Sequence, residues 1–165
     1  MHRVRRFEAL NNRLEVLTPR RRSVLIAAAV AASDQLSKAW ARTELANRDL
    51  EIIPGWFDLS VTENTGAAFS MFRGYGSWLG IAAILVGVLV WMAVGRARNN
   101  TELVALSLIL GGAIGNIVDR ALHGPGLSGG VTDFIALSFW PTFNLADSAI
   151  TIGAVLMIWK LSRPQ

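Results

Sequence analysis

The 165-residue sequence predicts an all-α membrane protein with a small β element. Four transmembrane helices are expected, with both termini cytoplasmic and an extracytoplasmic β-rich cap between the first and second helices. Three observations lead there. A hydrophobic fraction of 52% and a mean hydropathy of +0.40 are more than a soluble domain of this length readily buries. Only 17% of residues are charged, and they gather between long apolar runs. Finally, Arg3, Arg5, Arg6, Arg13, Arg20, Arg21 and Arg22 all precede the first apolar run, the pattern of positive charge held on the cytoplasmic side. Nucleic acid is the other partner such a tail suggests. Its place beside an apolar run favours the membrane, and no nucleic-acid partner is expected.

Taken in order, residues 1–22 form a basic extension in which Phe7, Leu10, Leu14 and Leu17 recur at roughly helical spacing, compatible with an amphipathic surface helix or a solvated tail. Residues 23–165 form one transmembrane domain. Ser23–Ser33 imitates a secretory signal peptide, with AVAAS as a small-residue cleavage site. The preferred reading is a first helix continuing to about Trp40, because Asp34 and Lys38 are four residues apart and share one helix face. Residues 42–73 carry charge of both signs. Pro54-Gly55 signals a turn, and Leu59, Val61 and Glu63 alternate with Ser60, Thr62 and Asn64 as in a short strand. Trp56, Phe57, Phe69 and Phe72 suit a cap resting on the bilayer.

Gly74–Gly95 has no charged residue and is the second span, with Arg96 and Arg98 after it on the cytoplasmic side. Thr101–Val118 is the third; Gly111 and Gly115, four apart, let another helix approach closely. Asp119-Arg120 closes it, and residues 121–132 read as a flexible outer loop. The fourth span runs from near Phe143 to about Leu161. The inner side then holds the tail arginines with Arg96, Arg98, Lys160 and Arg163. The outer side holds Arg42, Arg48, Arg73 and Arg120.

This topology gathers four acids at the outer leaflet: Asp34 and Asp119 late in outward-running helices, Asp147 early in an inward-running one, and Asp133 just before it. Acids beside lipid are costly and usually functional. Two that converge share a proton and raise one apparent pKa. The ionised partner then takes a proton from water, while the protonated one polarises a carbonyl and donates to the leaving amine. Proton-coupled transport uses intramembrane acids equally well, and on the residues alone the two readings stand level. Ser148 has no histidine neighbour to activate it. The sequence has no cysteine, and His2 and His123 are far apart, so neither a disulfide nor a His-based metal site is expected.

Five blocks in order break that tie. DQLSK at 34–38, ENTGAAFS at 63–70, GGAIGNIVDR at 111–120, VTDF at 131–134 and FNLADSAI at 143–150 resemble the motifs of the bacterial lipoprotein signal peptidases, or type II signal peptidases. The resemblance implies an integral aspartyl endopeptidase of the bacterial cytoplasmic (inner) membrane, with its active site at the outer face and no cofactor. The family cleaves prolipoproteins just before a cysteine that carries diacylglyceryl, folds as four helices with an extracytoplasmic β-cradle, and is inhibited by globomycin. Carried over by motif, Asp133 and Asp147 are the catalytic pair. Asn64 and Asn116 are candidates to hydrogen-bond the substrate backbone, and Asn144 to orient Asp147. Asp119 and Arg120 are expected to pair and hold the end of the third helix, with Arg120 alternatively meeting a substrate carbonyl or lipid phosphate. Asp34 with Lys38 is expected to be positional, and Gly66 to supply a tight turn beside the substrate.

Overall fold

The computed structural model describes residues 18–66 and 76–162. The readings made for Phe7, Leu10, Leu14, Leu17, Phe69, Phe72, Arg73 and Arg163 lie outside them. Among the described residues, four long helices carry the fold: α1 (Pro19–Glu44), α2 (Gly76–Val94), α3 (Asn100–Leu122) and α4 (Leu145–Leu161). A four-stranded antiparallel sheet is built from β1 (Leu50–Ile53), β2 (Phe57–Asn64), β3 (Val131–Leu137) and β4 (Trp140–Phe143), in that order.

Local chemistry starts each capped helix. Thr18 caps α1, accepting from Arg21 N–H, and Pro19 fits the first turn, where no intrahelical donor is needed. α1 continues without a break through Asp34 and Lys38 to Glu44, a turn beyond the expected end. Asn99 caps α3, and Glu102 reaches back to Arg98 N–H at 2.7 Å. α2 and α3 contain spans long and apolar enough to cross a membrane, Ser77–Val94 and Asn100–Leu122. α2 leaves Trp78, Leu85, Leu89 and Met92 exposed, and α4 leaves Ile152, Val155 and Ile158 exposed. Contiguous apolar surface of that kind needs lipid or another chain to cover it.

α3 is the central helix, packing on α1, α2 and α4. Glycine makes this possible on two faces. A Cβ at Gly111 would lie 2.8 Å from Ala27 O of α1, and one at Gly112 would run into the Ala146 carbonyl of α4. The close approach expected at Gly111 and Gly115 is therefore present, and Gly112 extends it to a second neighbour. Gly112→Val is expected to push α4 off α3 and lower stability by about 1–3 kcal/mol or more. The check is thermal unfolding of the purified protein in detergent; an unchanged midpoint would count against this packing.

The sheet differs from expectation in its make-up. The strand read at 59–63 is there as β2, and Pro54-Gly55 makes the β1–β2 turn, with Gly55 at φ +68°. But half of the sheet comes from after α3. Val131 and Thr132, expected in a loop, begin β3 and pair with Asn64 and Glu63, and the loop shrinks to residues 123–130. The segment Phe134–Phe143 carries most of β3 and all of β4 as a hairpin, in which Ile135 pairs with Phe143. The cap thus does not belong solely to the connection between the first two helices. Burial is the physical reason. Val131, Thr132, Asp133 and Phe134 are all buried, so β3 shows no polar–apolar alternation. Pro141 disguises β4, which tolerates it as the edge strand. Phe134 packs on Ala41 and Leu45 at the end of α1, with Leu59, Val61 and Ile135 around them, which docks the sheet over the helix ends.

Candidate active site

Five elements deliver side chains to one buried cluster under the sheet. α1 contributes Asp34, Gln35, Lys38 and Arg42; α3 contributes Asn116, Asp119 and Arg120. The end of β2 supplies Asn64, with Gly66 just beyond, β3 supplies Asp133, and Asn144 and Asp147 start α4. Asp34, Lys38, Asp119 and Asn144 have no exposed surface, and Asp133 is only 3% exposed. All four acids expected to converge are within this one hydrogen-bonded network.

A buried cation lies at its base. Lys38 Nζ reaches Asp34 Oδ2 at 2.8 Å, Asp119 Oδ2 at 2.9 Å and Asn116 Oδ1 at 3.0 Å, so its three N–H groups meet three acceptors. The two acids are spoken for on their other sides. Asp34 Oδ1 accepts from Ala146 N–H at 2.9 Å, in the first turn of α4. Asp119 Oδ2 also accepts from Thr132 N–H at 3.0 Å, in β3. The ion cluster therefore ties together the two elements that carry Asp147 and Asp133.

Above it the remaining acids are held by asparagine amides. Asp133 Oδ1 accepts from Asn144 Nδ2 at 2.6 Å, and Oδ2 accepts from Asn64 Nδ2 at 3.1 Å. Asp147 Oδ1 accepts from Asn116 Nδ2 at 2.9 Å. Asn144 and Asp147 also form a reciprocal capping box: Asp147 N–H donates to Asn144 Oδ1 at 2.9 Å, and Asn144 N–H to Asp147 Oδ2 at 3.3 Å. Asn144 thus touches both acids, one by its side chain and one through the cap. Burial, and next the nearby charge of Asp147, push the Asp133 carboxyl up to about 6, against the amides of Asn64 and Asn144 and the charge of Lys38.

The structure redirects one expected contact. The adjacent pair Asp119 and Arg120 forms no ion pair. Neighbouring residues on a helix point about 100° apart, so one cannot face the Lys38 cluster while the other shares its direction. Arg120 instead donates to Gly66 O at 2.7 Å and Gly129 O at 3.2 Å, clamping the end of β2 to the loop after α3. Asn64 and Asn116, expected to meet a substrate backbone, direct their amide N–H groups to Asp133 and Asp147. Gly66 is in a tight turn closed by its N–H on Asn64 Oδ1. Ser148 donates to Asn144 O.

Three contributors went unread in the sequence. Gln35 donates to Asp34, Asp119 and Gly115 O. Arg42 donates to Thr132 Oγ1 at 2.8 Å and lies 3.7 Å from Asp119. Arg42 was discoverable, since it follows Lys38 by four residues on the face already marked by Asp34; Gln35 and Thr132 carried no such signal.

The fold is a helical one with a buried polar core beneath a small sheet, and two of its helices are long and apolar enough to cross a membrane. Two solved bacterial membrane enzymes share the architecture, each at a TM-score of 0.74. One is 33% identical and covers 84% of this chain and 86% of its own; the other is 32% identical and covers 87% and 94%. The chain belongs to the signal peptidase II family, whose model matches residues 26–163. It is 39% identical over 149 residues to a lipoprotein signal peptidase of Azoarcus sp. strain BH72, covering 85% of this chain and 82% of the relative. It is 41% identical over 144 residues to one of Teredinibacter turnerae, covering 81% and 83%. The protein is accordingly a membrane protease.

Proposed function

We propose that this protein removes the signal peptide from diacylglyceryl-modified prolipoproteins, cleaving before the lipidated cysteine by a two-aspartate, activated-water mechanism. One observation carries the mechanism: Asp133 and Asp147 are brought together through Asn144, with N–H donors on all four carboxylate oxygens. Held this way, the pair keeps its remaining lone pairs for one shared proton and a water. The ionised acid takes a proton from the water as its oxygen attacks the scissile carbonyl. The protonated acid hydrogen-bonds that carbonyl and then returns a proton to the leaving amine.

The same reading places α1–α4 as four spans in the bacterial cytoplasmic membrane, with both termini inside and the sheet and acids at the outer face. Residues 23–165 are the peptidase domain and 1–22 a basic cytoplasmic extension. The apolar surfaces of α2 and α4 and the arginines ahead of α1 support this. The substrate's acyl chains stay among the helices, where burial contributes about 0.8 kcal/mol per CH₂. That term makes lipid modification a requirement for binding. Proton-coupled transport, level with peptidase on the residues alone, does not accord with membership of a peptidase family.

The deciding experiment incubates purified protein with a diacylglyceryl-modified precursor. A shortened product, lost on adding globomycin, is expected. An uncleaved precursor, or proton flux in liposomes blocked by the same Asp133 and Asp147 substitutions, would sink the proposal.

A pH dependence follows from Asp133. With its carboxyl near 6 in the free enzyme, the proton the mechanism needs is present below that pH and lost above it. The expected result is a kcat/KM that falls as pH rises through about 6. Bound substrate excludes water and favours the protonated acid, so the limb in kcat should lie higher. A kcat/KM that instead rises through this region would contradict the shared-proton scheme.

A further inference from the structure

Asn116 lies between a cation and an acid. Its Oδ1 faces Lys38 Nζ at 3.0 Å, and its Nδ2 faces Asp147 Oδ1 at 2.9 Å. An asparagine side chain has nearly the same shape when flipped, so packing alone does not choose between the two orientations. The ammonium does choose. It has donors and no acceptor, so only an oxygen can face it. The flipped amide would set N–H against N–H at Lys38 and a carbonyl oxygen against the carboxylate at Asp147. Asn144 Nδ2, 3.3 Å from Asn116 Oδ1, favours the same orientation.

The other two asparagines are keyed by backbone. Asn144 Oδ1 accepts from Asp147 N–H, and Asn64 Oδ1 accepts from Gly66 N–H. Asn116 is the one of the three whose amide oxygen faces a cation, and that cation has no freedom. Lys38 is fully buried, and its other two N–H groups are taken by Asp34 and Asp119.

We propose that Lys38 is a positioning residue for the hydrolytic step: locked by Asp34 and Asp119, it keys the Asn116 amide so that an N–H, never a carbonyl oxygen, meets Asp147 Oδ1. The shared proton is thereby kept off the face of Asp147 Oδ1 that Asn116 covers. This rests on the reading of Asp147 as catalytic. It gives the buried Asp34–Lys38–Asp119 cluster a chemical consequence beyond holding helices together.

The test is a double-mutant cycle on the purified full-length chain, with a diacylglyceryl-modified precursor and with melting temperature recorded for every variant. Lys38→Met is expected to lower kcat by about 10²-fold, the loss typical of one oriented donor, with KM nearly unchanged. Asn116→Leu should lose a similar factor. The double variant should be no slower than Asn116→Leu alone, because Lys38 acts through that amide. Should Lys38→Met fold poorly, Asp34→Asn/Lys38→Met removes one acid with the cation and carries the same expectation. Losses that multiply, or a folded Lys38→Met protein with full kcat, would overturn the proposal. Asp147→Asn is assayed in parallel. If it turns over, the dyad and the keying fall together; if it is inactive while the losses multiply, only the keying falls.

Discussion

Asp133→Asn and Asp147→Asn are each expected to abolish precursor cleavage, lowering kcat by at least about 10³-fold, the scale of an acid–base group lost outright. Asparagine keeps the size of the side chain, so the protein should remain in the membrane at near-normal amounts. It cannot carry the shared proton, and it disturbs the contacts around it. Asp133 accepts N–H groups on both oxygens, from Asn144 and Asn64. An amide at this position can offer an oxygen to only one of them, and its own NH₂ must face the other. Asp147 has the same difficulty between Asn116 Nδ2 and Asn144 N–H. Because the two acids work as a unit, the double substitution should be scarcely slower than either single one. The measurements are cleavage by purified variants and immunodetection in membrane fractions. Full cleavage by either single variant would remove that residue from the dyad.

The parts of this site legible in the sequence are those whose signal is local. Asp34 and Lys38 stand one helical turn apart and are in fact paired at 2.8 Å. Gly111 and Gly115 mark a face that another helix approaches closely. The convergence of four acids needed only helix lengths and directions. Contacts set by long-range pairing were hidden. Nothing around Thr132 announces that its N–H and hydroxyl serve Asp119 and Arg42, because both partners lie on other elements. β3 was hidden by complete burial, and with it the fact that Asp133 is placed by register, opposite Thr62 in β2. Asp119 was misdirected by its neighbour: Arg120 is adjacent in sequence, while the cation that meets Asp119 lies on another helix. The capping box at 144–147 was readable as Asn-x-x-Asp ahead of an apolar run. Such a box fixes the backbone that carries the acid as well as its side chain.

The same geometry separates Asp119 from the dyad. Its carboxylate holds four groups: Lys38 Nζ at 2.9 Å, Thr132 N–H at 3.0 Å, Gln35 Nε2 at 3.2 Å and Arg42 Nη1 at 3.7 Å. All are donors, so Asp119 has no free direction toward a substrate. Asp119→Asn must turn its NH₂ toward one of these donors, and it leaves Lys38 with Asp34 as its remaining buried acid. Breaking a buried ion cluster in this way costs about 3–5 kcal/mol, because the surviving charge keeps its desolvation penalty. At roughly 2–4 °C per kcal/mol for a chain of this size, the melting temperature should fall by about 10 °C. Residual turnover should nonetheless persist when assayed well below the new midpoint, since Lys38 keeps Asp34 and Asn116 as partners and Asp133 and Asp147 keep their amide donors. Asp133→Asn should show the reverse pattern, inactive with a smaller fall in stability, because it strands no buried cation. The two are compared by thermal unfolding in detergent alongside cleavage at low temperature. An Asp119→Asn protein as stable as the parent yet inactive would place Asp119 among the residues that act on the substrate.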